Sequence, residues 1–236
     1  MNKLIHRADT RGVADHGWLY SRHTFSFAGY YNPQRMGFGK LRVVNDDTVK
    51  GGGGFDTHPH DNMEIVSVPL NGALRHRDSM GNTHLISADE VQVMSAGTGL
   101  THSEYNDSAT EPVNFLQIWV LPKLHDIGPR YGQKAFDPAG RRNRFQTVVS
   151  PGEDESAVRI NQDAWFSLGD CDAGRTLAYT LHSAANGVYL FVIEGAVEVD
   201  GERLEDRDAV GITEATEVTV AAVRDSRLLL MEVPMR

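Results

Sequence analysis

The chain has 236 residues, 40% of them hydrophobic, and a formal charge of −9 at neutral pH. That length and composition allow one large or two small packed domains and exclude a disordered or fibrous chain. The acidic balance argues against direct nucleic-acid binding, which relies on Lys and Arg to replace phosphate counterions, and no apolar run reaches the ~20 residues of a membrane helix.

Strand signals dominate in chain order. His23, Phe25 and Phe27 alternate near the start, so His23 and Phe25 are candidates to line a pocket. Apolar runs follow at Leu41 to Asn45, Met63 to Leu70, Val91 to Ser95, Phe115 to Leu121, Val188 to Ile193, Val218 to Val223 and Leu228 to Val233. Turn chemistry separates them, as at Asn71-Gly72, Met80-Gly81-Asn82, Glu194-Gly195 and Asp200-Gly201. Many short strands with Gly-rich turns predict an all-β fold of barrels or sandwiches. Ile65 to Leu74 resembles Val188 to Val197, each reading strand, polar-Gly turn, strand, which predicts two related β-barrels in tandem. The expected division is 1–130 and 131–236, with a linker near Pro122 to Pro138 where strand patterning fades.

Two short motifs carry the chemistry. Thr57-His58-Pro59-His60 and Thr101-His102-Ser103-Glu104 each place potential ligands at i and i+2. In an extended strand such side chains share a face. Two neighbouring strands then aim three imidazoles and a carboxylate at one point, a set that suits a divalent transition metal and leaves coordination positions open. Alternation leaves the fourth ligand undecided, because Glu64 has the same parity as His60. The second half lacks the set, so one metal is expected, in the first barrel. Gly51 to Gly54 has no following Gly-Lys-Ser/Thr and reads as a tight turn beside the metal strand. His76 and His84 flank a turn and read as surface residues. Cys171, the single cysteine, excludes an intrachain disulfide and fits a reducing compartment. The first residues have no apolar stretch of signal-peptide length, so a cytoplasmic protein is expected. A monomer is expected too, because two barrels can cover each other's apolar faces.

The pattern resembles the cupin motifs: Gly52, His58, His60 and Glu64 match the first, and Gly99, His102 and Asn106 the second. The nearer resemblance is to pirins, a two-cupin family. It rests on the stretch from His16 to Asp47, on "FDTHPHDNMEI" and "MSAGTGLTHSEYN", and on "QIWVLP" followed by "PRY". The resemblance implies a bicupin fold and one divalent metal, commonly iron, held by His58, His60, His102 and Glu104, with Glu64 in an outer supporting role. Manganese, cobalt, nickel, copper or zinc suit the same donors. It also implies either a quercetin 2,3-dioxygenase-like enzyme acting on a small aromatic flavonol and dioxygen, with Glu104 as a proton acceptor, or a metal-dependent regulator that binds a protein partner.

Overall fold

A computed structural model of the chain describes residues 1–152 and 156–236. The described residues build two β-barrels, each from a seven-stranded and a four-stranded sheet. In the first barrel the larger sheet runs Arg130–Ala135, Glu90–Ser95, Glu64–Asn71, Val113–Val120, Leu41–Val49, Leu19–His23, Gly12–Asp15. The smaller runs Gly54–His60, Leu100–Asn106, Ala73–Asp78, Thr83–Ser87. Side-chain alternation sorts residues between the faces. In Ala73–Asp78, Leu74, His76 and Asp78 are buried while Arg75 and Arg77 are exposed. In Val113–Val120, Leu116 and Ile118 join the apolar layer between the barrels, whereas Phe115 packs inside the first.

The duplication read from sequence is present. Gly72 and Gly195 close equivalent turns at φ 77° and 104°, a backbone region that favours glycine. The largest apolar cluster joins the two barrels and brings Val66, Leu116 and Ile118 together with Phe166, Tyr189 and Leu229. The interior of the second barrel is filled by apolar side chains such as Leu177, Leu190, Val218 and Leu230. No helix of the described residues is long and apolar enough to cross a membrane.

Two features differ from the expected division. Arg130–Ala135, inside the expected linker, is a strand paired with Glu90–Ser95 of the first barrel. Asn2–His6, from the expected first domain, pairs with Ala209–Thr213 of the second. The sequence hides the first of these because Arg130 to Lys134 contains no apolar run. Backbone pairing with a buried neighbour makes it a strand.

Candidate metal centre

His58 and His60 lie on Gly54–His60, and His102 and Glu104 on Leu100–Asn106. The two strands are antiparallel neighbours, with His102 opposite His58. The three imidazole rings meet with centroids 4.5, 4.8 and 4.9 Å apart. Gly54 lets these strands approach, since a Cβ there would collide with the Tyr105 ring. Tyr105 itself is exposed and donates to Asp56 Oδ1.

The pairing slips between His102 and Glu104, where a bulge sets Glu104 opposite Phe55. On its other side Glu104 lies opposite His76 of Ala73–Asp78. The donor atoms therefore fall into two overlapping sets. Those of His58, His60 and His102 lie within 4.8 Å of one another, and so do those of His76, His102 and Glu104. Of the expected four, His58, His60 and His102 make one set, and Glu104 falls in the other, beside His76.

The hydrogen bonds prepare the imidazoles as ligands. His58 Nδ1 donates to the Asp56 carbonyl at 2.7 Å, which leaves the Nε2 lone pair free. Both ring nitrogens of His102 are buried without a partner. Burial, together with the adjacent His58, lowers the His60 pKa to about 4. Burial and the neighbouring His58, His60 and His76 hold His102 further down still. Neutral imidazoles have no proton to lose before they ligate, so these residues fit a divalent metal.

Glu104 is enclosed. Its Oε2 accepts from Gln117 Nε2 at 2.8 Å, and Ser67 Oγ lies 3.3 Å from Oε1. Burial pushes its carboxyl up to about 7, with Ser67 pulling down and Asp47 adding to the rise. Asp47 is likewise pushed up to about 7 by burial, with Ser21 pulling down and Asp46 adding to the rise. Its Oδ1 has no hydrogen-bond partner.

The centre opens onto a cavity of about 740 Å³ walled by Trp18, Phe27, Tyr30, Phe55 and Trp119, with His23 and Asp47 among its polar groups. His60 meets Trp119 edge-on at 5.0 Å, and Phe27 closes on Trp119 at 5.3 Å. Of the two expected pocket residues, His23 lines the cavity but Phe25 does not. The strand ends at His23, so alternation no longer applies. Phe25 turns into the layer between the barrels against His6 and Tyr189, and Phe27 takes the wall.

Glu64 also differs from its expected outer role. It accepts from Ser95 Oγ at 2.7 Å and from the Asn161 backbone N–H at 2.9 Å, fastening one barrel to the other. His76, expected at the surface, is fully buried, whereas His84 is exposed and stacks on Tyr131.

Comparison with known proteins agrees with this architecture. The pirin family model matches residues 6–120, and a model described as the quercetinase C-terminal cupin domain matches residues 147–233. The chain is 42% identical over 234 residues to a quercetin 2,3-dioxygenase of Escherichia coli K12, covering 98% of both chains. The chain belongs to the pirin family. This pirin is also 42% identical over 225 residues to a pirin-like protein of Caulobacter vibrioides, covering 95% of this chain and 96% of that one. The crystal structure of the bacterial pirin YhhW from E. coli in complex with nickel(II) superposes on it with a TM-score of 0.93. That structure is 39% identical and the match covers 99% of each chain.

Proposed function

We propose that this pirin is a metal-dependent dioxygenase that opens a flavonol such as quercetin with dioxygen. The observation that carries the reading is the junction of three imidazoles with an aromatic-walled cavity of about 740 Å³, within the usual size of a small-molecule site. The name of the E. coli relative supports it. Iron is the metal proposed; nickel, bound in the YhhW complex, suits the same donor types.

His58, His60, His102 and Glu104 would hold the metal, which when bound supplies Lewis acidity toward an oxyanion and a redox-active centre for dioxygen. The remaining work falls to the chain. Trp119, Phe55 and Phe27 offer flat apolar walls that orient a polycyclic substrate and keep water from the reacting face. Glu104 takes the proton of the flavonol 3-hydroxyl. A carboxylate whose proton affinity is raised by burial is a better base than an exposed one. The flavonolate and dioxygen then give a depside and carbon monoxide.

Anaerobic reconstitution with iron(II), followed by oxygen uptake and loss of quercetin absorbance, tests this. Metal-dependent turnover lost in a His58→Ala/His102→Ala variant is expected. Stoichiometric metal without turnover would refute the flavonol reading and favour a regulator whose metal state governs a protein partner.

A further inference from the structure

The mechanism leaves His76 unused, although the structure treats it as a prepared ligand. His76 is fully buried on Ala73–Asp78, and its Nε2 lies 3.3 Å from Asp78 Oδ2. Asp78 is fixed in turn by the backbone N–H groups of Met80 and Asn82, at 2.9 and 3.0 Å, and by Asn82 Nδ2 at 2.8 Å. An acceptor so well anchored keeps the imidazole proton on Nε2 and turns the Nδ1 lone pair to the interior. A carboxylate behind a histidine is the arrangement that orients metal-binding imidazoles.

His76 Nδ1 has no hydrogen-bond partner, and neither ring nitrogen of His102 has one. Buried nitrogens are rarely left unpaired without a missing water or ion. These residues sit beside a carboxylate, since one ligand atom from each of His76, His102 and Glu104 lies within 4.8 Å of the others. All three residues are buried, and Tyr131 covers His76 with its ring centroid 4.9 Å away. His58 and His60 line the open cavity, as does Glu104, whereas His76 and His102 do not.

We propose that His76, His102 and Glu104 form a second, inner position for a divalent transition metal, beneath the outer position of His58, His60 and His102. Because His102 belongs to both sets, the positions are alternatives for one ion, and Glu104 can follow it. The outer position meets the cavity. The inner one reaches it only through Glu104, and its two imidazoles and one carboxylate suit zinc, cobalt or nickel.

The test uses the metal alone and stands whether or not a flavonol is the substrate. Cobalt(II) is bound to a His58→Ala/His60→Ala variant, and retention after dialysis is measured together with the visible ligand-field spectrum. The inner position predicts close to one cobalt per chain. Adding His76→Phe is expected to weaken that binding by about tenfold or more, the scale of losing a metal-site partner. Equal retention with and without His76, or none in either, overturns the proposal. If the double variant does not fold, cobalt release from the otherwise native chain to excess chelator decides. Two phases are expected, with the slow one lost in the single His76→Phe variant. A single phase, unchanged by that substitution, also overturns it.

Discussion

Replacing Glu104 by Gln should stabilise the metal-free protein at alkaline pH while weakening its hold on metal. The carboxyl is raised from 4.5 to about 7, chiefly by burial. Between those values the folded state binds the proton more tightly than the unfolded chain. The stability it contributes is therefore full below about pH 4.5 and is lost as pH rises through about 7. At 1.36 kcal/mol per unit the loss is about 3 kcal/mol. Gln carries no charge to bury, and its amide can both accept from Gln117 and donate to Ser67. Asp47, raised by the same enclosure, is also eased when its charged neighbour goes. Urea unfolding of chelator-treated protein, followed by tryptophan fluorescence, reads the difference. At pH ~8.5 the variant should exceed the native chain by about 3 kcal/mol, and near pH ~4.5 the two should coincide. Saturating metal should reverse the order at the alkaline pH. Coincident curves there for the metal-free proteins would refute the account of Glu104 as a costly buried charge.

Other substitutions separate structural from metal-binding roles. His102→Ala removes the residue common to both donor sets and should abolish retention of divalent metal on dialysis, where His58→Ala alone leaves some. Glu64→Ala strands Ser95 and the Asn161 amide, and should lower stability by about 1–3 kcal/mol in chemical denaturation with metal stoichiometry unchanged. Phe25→Ala should cost about 3–5 kcal/mol and lower the unfolding midpoint while leaving metal stoichiometry intact, because the ring fills the layer between the barrels. Burial raises Glu232, but hydrogen bonds from His182, Asn186 and Tyr179 outweigh it and hold the carboxyl below its usual range. Its stabilising effect is therefore present above about pH 4.5 and lost as pH falls through its lowered value. Glu232→Gln should flatten the acid limb of a plot of unfolding free energy against pH.

The paired barrels and the three histidines are legible because both depend on local spacing. Apolar alternation marks most strands, Gly72 and Gly195 punctuate them alike, and i, i+2 spacing keeps His58 with His60. What stays hidden depends on register. Parity along Leu100–Asn106 holds and buries both His102 and Glu104, but it does not say that Glu104 lies opposite His76 on the next strand. His76 sits between two arginines and looks like part of a polar hairpin. Its signal is the alternation of Leu74, His76 and Asp78 against Arg75 and Arg77, which becomes informative only once Leu100–Asn106 is known to lie beside it. Asp47 belongs to an Asn-Asp-Asp run that reads as the end of a strand, whereas the strand continues to Val49 and carries it inward. Phe25 fails for the opposite reason, because its strand stops two residues too soon.

The exchange of strands between the barrels has a consequence for synthesis. Asn2 pairs with Thr213 and His6 with Ala209, so this strand is made long before the edge that receives it. Until then its own edge and that of the waiting sheet are open to pairing with other chains. Contacts this distant in sequence form slowly. Crowded translation should therefore favour aggregation of unfinished chains, and chaperone demand should persist until Ala209–Thr213 has left the ribosome, well after the strands of the first barrel are complete.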